Sequence, residues 1–338
     1  MRDNNFDGIR LLAASQVVVS HAVSHLNVEF PIWLNFLGYF PGVPIFFIIS
    51  GFLISASFER APTIKQYAVN RLLRIYPALW VCLAFSIVIA LIAEVVFEPK
   101  SFSIWVVAQG SFFQFYNPDF LRGFGVGVLN GSLWTIPVEL QFYFVLPFLM
   151  LFVRDWSGQS KILVVIGSLL LMILSRKFMS EDFGLVAKIV HVSLLPYLFY
   201  FLVGVVLRVV HERTEVFSSS FAKFVGLYFF LVVLHKVTGI DGAAGNNLNP
   251  VQIIALGGLV VSAAFSNVNF SRKILRGNDI SYGLHIYHMP IMNFLIYKAI
   301  VGAQGLIVCL VVTVVVAGFS WRFVEKPALG LKRYSIAN

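Results

Sequence analysis

Charge and cysteine are both scarce in this chain of 338 residues. Only 12% of the residues are Asp, Glu, Lys or Arg, while 59% are hydrophobic. A soluble globule carries charge on about a quarter of its residues, so this composition excludes one. The two cysteines, Cys82 and Cys309, both lie inside apolar runs. They offer no disulfide framework and no zinc spacing. No cleavable signal peptide is expected, because the first apolar stretch is long, is interrupted by polar groups, and lacks a basic start with a small-residue cleavage site. No internal repeat and no soluble block break the apolar pattern, so one membrane domain over residues 1–338 is expected. The net charge of +9 raises nucleic acid as a partner, but the charges are distributed as membrane topology requires, and no nucleic acid is expected.

What the chain does have is apolar segments of spanning length. Ten are read, at about 7–26, 36–57, 77–97, 131–153, 161–179, 190–210, 220–237, 250–267, 280–300 and 305–325. The fold class is therefore all-α, a polytopic membrane protein of about ten transmembrane helices in a lipid bilayer. Phe102 to Tyr116 is apolar and aromatic but short, which suits an interfacial or re-entrant helix. With the N-terminus in the cytoplasm, the outer side receives Lys100, Arg122, Arg176, Lys177, Lys188, Lys236 and Lys298. The rest of the 25 Lys and Arg residues, Arg2, Arg154 and Arg333 among them, then fall on the inner side. That asymmetry obeys the positive-inside rule and makes both termini cytoplasmic.

The first segment carries polar groups that an anchor does not need: Arg10, Gln16, His21 and His25. Arg10 and His21 are eleven positions apart, about three helical turns plus ~20°, so they share a face with ~16 Å of rise between them. Ionisable groups at such depth are functional candidates. The plain alternative is that Arg10 snorkels to the interface and the histidines bond to neighbouring helices. Counting from the segment ends places Glu139 at a depth similar to His21, where a carboxylate beside an imidazole would fix its tautomer. Alternatively, Glu139 is a hydrogen-bonded structural carboxyl. His288 falls near the middle of the ninth segment. On the inner side, RLLRIYP puts Arg71 and Arg74 at i and i+3 on a short amphipathic helix ended by Pro77, so both guanidiniums can face one anion. Ordinary lipid-headgroup binding explains them as well. Four histidines in two helical pairs, His21 with His25 and His285 with His288, do not make a metal site without supporting cysteine or carboxylate ligands, and no metal is expected.

Together these stretches resemble the acyltransferase-3 family of integral-membrane O-acyltransferases, which O-acylate cell-surface glycans. The resemblance rests on Asp7-Gly8-x-Arg10 with His21 after it, FFIISGFLIS at 46–55 and RLLRIYP at 71–77. It continues through GSLWTIPVELQFY at 131–143, SYGLHIYHMP at 281–290 and WRFVEKP at 321–327, in the family's order along nearly the whole chain. The resemblance implies a ten-helix membrane domain in a bacterial inner membrane, with the family's essential arginine and histidine at Arg10 and His21. Its glutamate falls at Glu139, its basic loop at Arg71 and Arg74, and its histidine before x-Pro at His288. His285 sits where an aromatic residue is more usual and receives no role. Many relatives carry a soluble hydrolase-like domain after the last helix; this sequence ends at Asn338, so transfer is expected to finish within the membrane domain or with a separate acyl-delivery partner.

The resemblance and the placement of these groups lead to one expected chemistry. Acyl-CoA, as acetyl-CoA, docks from the cytoplasm on Arg71, Arg74 and Arg10, and His21 acts as general base on a glycan hydroxyl beside Glu139. An acyl-histidine relay is the competing route. His288 or Ser132 supplies a donor to the oxyanion. The rival class is a proton-coupled transporter of a glycan or small acid, in which the histidines and Glu139 relay protons.

Overall fold

The computed structural model describes residues 4–29, 32–61, 63–153, 155–181, 183–239, 241–242, 244–267 and 270–332. Among these residues the fold is helical, with no strand. Arg2, Arg154 and Arg333, expected on the inner side, lie outside the described residues. In chain order the helices are α1 Phe6–His25, α2 Gly42–Arg60, α3 Ile64–Ile92, α4 Pro99–Gly110 and α5 Thr135–Phe152. Next come α6 Gly158–Ser180, α7 Gly184–His191, α8 Leu198–Arg213, α9 Val216–Ser219 and α10 Phe221–Thr238. The last are α11 Pro250–Phe265, α12 Phe270–Leu275, α13 Ser281–Tyr297, α14 Gly302–Ser320 and α15 Lys326–Gly330. A 3-10 turn, Gly131–Trp134, leads into α5, and a π-turn, Trp321–Glu325, joins α14 to α15.

Among the described residues, six helical stretches are long and apolar enough to cross a membrane: Asn35–Arg60, Ile64–Ile92, Gly131–Phe152, Gly158–Ser180, Phe221–Thr238 and Gly302–Gly330. That is the make-up of a multi-pass membrane protein. Two boundaries correct the sequence reading. Pro77, expected to end a short amphipathic helix, sits inside α3, which begins at Ile64 and runs on to Ile92. A proline's fixed φ suits a helix and forfeits only one backbone bond, so the apolar residues beyond it carry the helix onward. α8 begins at Leu198 rather than near 190, because Pro196 biases Leu195 away from helical backbone.

The chain divides into two compact units that alternate along the sequence. The first comprises Met1–Ala13, Phe36–Ile64 and Val138–Gly277; the second comprises Ala14–Asn35, Lys65–Pro137 and Asn278–Asn338. In the first unit, α2 and α8 meet through facing glycines. A Cβ on Gly51 would lie 1.9 Å from the Phe201 carbonyl oxygen, and one on Gly204 would lie 2.1 Å from that of Ile48. Small residues permit such close backbone approach, which is how membrane helices gain packing energy without water to expel. Phe142 stacks on Phe201 with ring centroids 4.0 Å apart. The start of α1 is pinned by Asn5 N–H donating to Ala264 O at 2.8 Å and Gly8 N–H donating to Ser271 Oγ at 2.8 Å.

The second unit is built on α13, buried without interruption from Gly283 to Asn293. Gly283 lets α14 come close, since a Cβ there would lie 2.9 Å from Ala317 Cα. Asp279 holds the start of the helix: its Oδ1 accepts from the Ser281 amide at 3.2 Å and from the Ser281 hydroxyl at 2.5 Å. At the far end, Asn293 accepts from Val126 N–H at 2.7 Å and donates to the carbonyls of Val128 and Leu129 at 3.0 and 2.9 Å. The buried face of α13 thus has polar anchors at both ends and a glycine-fitted contact along its length.

Candidate active site

In the second unit, α1 brings His21 against α13. His21 Nδ1 lies 2.9 Å from His288 Nε2. The other nitrogen of His288, Nδ1, lies 3.0 Å from the carbonyl oxygen of Leu284, one helical turn back. A carbonyl can only accept, so His288 carries its hydrogen on Nδ1. With both rings neutral, His288 Nε2 is then an acceptor, and His21 must donate from Nδ1. His21 is left with an unprotonated Nε2, the lone pair a general base uses. His288 is fully buried, whereas His21 is half-buried. Backbone, imidazole and imidazole form a chain with one possible order of hydrogens.

Two further histidines, His25 and His285, flank this pair. The His25 ring centroid lies 5.9 Å from that of His21. His285, given no role from the sequence, lies 6.2 Å from His288 between ring centroids, and its Nε2 is 3.0 Å from Thr135 Oγ1. Ser132, expected as an oxyanion donor, sits with its hydroxyl 2.7 Å from Asn130 Oδ1 and 2.9 Å from the His285 carbonyl. His288 and Ser132 both have acceptors within reach inside the protein, His288 through Leu284 and Ser132 through these two.

The two arginines of the basic motif have different surroundings. Arg74 Nη2 lies 2.5 Å from Asp279 Oδ2, and both side chains are largely buried. Arg74 therefore ties α3 to the carboxylate that starts α13. Arg71, one turn earlier, is half-buried on the same helix. In the first unit, Arg10 pairs with Asp7 at 3.9 Å across one turn of α1. Glu139 accepts from the Ser50 hydroxyl at 3.0 Å and also from the Tyr143 hydroxyl, both on Oε1. Sequence reasoning passed over Asp279, Asn130, Thr135, Ser50 and Tyr143. Asp279 had a readable signal, an acid two residues ahead of the serine that opens a helix. Thr135, Ser50 and Tyr143 are polar residues whose partners lie on other helices or a turn away, and only the fold reveals them.

A family model described as an acyltransferase domain matches residues 3–322. The chain belongs to that acyltransferase family. Nodulation protein 10 of Rhizobium leguminosarum bv. viciae is 34% identical, and the match covers 99% of this chain and 95% of that protein. Peptidoglycan O-acetyltransferase OatA of Listeria monocytogenes is 30% identical over 48% of this chain and 27% of its own length. O-acetyltransferase OatA of Staphylococcus aureus is 25% identical over 95% of this chain and 56% of its own. The chain thus spans about half the length of the staphylococcal relative. No solved structure matches. The acyltransferase membership and the apolar helices together describe a multi-pass membrane acyltransferase.

Proposed function

We propose that this acyltransferase moves an acetyl group from cytoplasmic acetyl-CoA to a hydroxyl of a cell-surface or lipid-linked glycan, in a bacterial inner membrane. The observation that carries the reading is the chain Leu284 O, His288, His21, which leaves His21 Nε2 as a base. The relatives named O-acetyltransferases support the acetyl group and an oxygen acceptor, and one of them is named for peptidoglycan.

In the forward step, His21 Nε2 takes the proton of the acceptor hydroxyl while the oxygen attacks the thioester carbon. The new C–O bond forms, the C–S bond breaks, and the proton passes from His21 to the CoA thiolate. As His21 becomes cationic, its Nδ1–H bond to His288 Nε2 strengthens, because charge-assisted hydrogen bonds are about twice as strong as neutral ones. His288 therefore acts as the orienter of the base rather than as an oxyanion donor. Arg71 meets the phosphates of CoA, whose oxygens match the guanidinium fork. Arg74 acts through Asp279 to fix α13. Arg10 and Glu139 keep the roles expected from the sequence, help with the acyl-CoA phosphates and charge balance.

The test uses membranes containing the protein and labelled acetyl-CoA, following CoA release and label on extracted glycan. Wild type transfers label; His21→Ala does not; Arg10→Ala and Glu139→Gln report on the roles given to those side chains. Equal transfer by His21→Ala would remove the proposed base while leaving the enzyme. Absence of transfer by wild type, both in native membranes with host glycan and after supplying host extract for a separate partner, would overturn the reading.

A further inference from the structure

Pro290 has no N–H, so within α13 the carbonyl of Ile286, four residues earlier, has no helical donor. Left bare in a dry helix, such a carbonyl costs as much as a lost hydrogen bond and draws the backbone toward any donor available. In this fold it has two donors from outside the helix. Asn130 donates Nδ2–H to Ile286 O at 2.8 Å, and the Cys82 thiol donates to the same oxygen at 3.2 Å. Asn130 is 7% exposed and Cys82 1% exposed, so water does not compete. The Asn130 amide is itself held, its Oδ1 lying 2.7 Å from the Ser132 hydroxyl. His288 stands between Ile286 and Pro290, inside the turn that the missing bond would loosen.

We infer that Asn130 is a positioning residue for the acyl-transfer base. Its side-chain amide replaces the N–H that Pro290 lacks and so fixes the turn that holds His288 Nε2 against His21 Nδ1. Cys82 supplies the weaker second donor, since a thiol hydrogen-bonds poorly beside an amide. The same donor set explains why a proline is tolerated in the middle of a buried helix. This inference rests on the proposed role of His288 as orienter of His21, and it adds the group on which that orientation depends.

The experiment compares full-length wild type, Asn130→Ala, Pro290→Ala and the double variant in lipid nanodiscs. Two quantities are read: the thermal unfolding midpoint, and kcat and KM for acetyl-CoA with host-membrane glycan as acceptor. Asn130→Ala should lower the midpoint and cut kcat about ten-fold or more, with KM unchanged. Pro290→Ala returns an N–H to Ile286, so in that background Asn130→Ala should cost about half the midpoint shift or less, and part of kcat should return. Additive midpoint shifts would overturn the inference. Coupled midpoints with an unchanged kcat would overturn it too, leaving Asn130 a purely structural residue. If Asn130→Ala does not fold, recovery of a folded double variant supports the inference and its failure refutes it. Coupled midpoints in a wild type that transfers nothing would mark the failure as that of the acetyl-transfer reading, with which the positioning role falls.

Discussion

His288 offers the sharpest test of the site, because the geometry ranks its replacements. His288→Ala removes the acceptor for His21 Nδ1–H, at 2.9 Å in the wild type. A hydrogen bond to a group that becomes charged contributes about 1.5–3 kcal/mol. At 1.36 kcal/mol per factor of ten, that is a loss in kcat of about 10- to 150-fold. His21→Ala should cost more, because a general base contributes about 10²–10⁴-fold. His288→Gln should fall between wild type and alanine, since the glutamine Oε1 can accept where Nε2 did but lacks the Leu284 tether that fixes it. His288→Leu fills the space without accepting and should resemble alanine. Initial rates of CoA release in membranes of matched expression, with unfolding midpoints checked alongside, give the comparison. Two outcomes would refute the reasoning: wild-type kcat in His288→Ala, or a folded His288→Gln no faster than His288→Leu.

Two further predictions separate binding from scaffolding. Arg71→Ala should raise KM for acetyl-CoA about ten-fold with kcat held, the loss of one charge-assisted phosphate contact, whereas Arg74→Ala should lower kcat and the unfolding midpoint together because it removes the guanidinium 2.5 Å from Asp279 Oδ2 at the start of α13; steady-state kinetics at varied acetyl-CoA distinguish them. Gly125→Ala should destabilise the second unit by about 1–3 kcal/mol, since Gly125 has φ +57° and a Cβ there would lie 1.9 Å from Asn293 Oδ1, while Gly123→Ala, with nothing within 4 Å, should leave the midpoint unchanged.

Much of the architecture was legible because hydrophobic runs of spanning length need no partner to be recognised. The segments around α2, α5, α6 and α10 lie close to where the apolar pattern put them. Pro77 misled because a proline is a local signal, and the course of the helix is decided by the apolar residues after it. The pairing of His21 with His288 could not be read from spacing on α1, which shows only that Arg10 and His21 share a face. Depth counting placed His21, Glu139 and His288 separately and carried no information on which helix meets which. Arg74 illustrates the same limit: its i, i+3 relation to Arg71 suggested a shared anion, but Asp279, distant in sequence, takes Arg74 at 2.5 Å. By contrast, the need of Ile286 for an outside donor was implicit in Pro290 four residues on, and only the identity of the donor required the fold.

The glycine seam between α2 and α8 bears on how this protein can be handled in solution. A contact of backbone against backbone, with Gly51 under Phe201 and Gly204 under Ile48, draws on dispersion at van der Waals distance and on no layer of expelled water. Exchange of lipid for a detergent micelle alters the hydrocarbon outside such a seam but not the atoms within it. The exposed apolar side chains of α6, among them Leu163, Leu170 and Leu174, do meet that hydrocarbon directly. On extraction, α6 should sense the change of solvent first, and the α2–α8 seam should be among the last parts of the first unit to come apart.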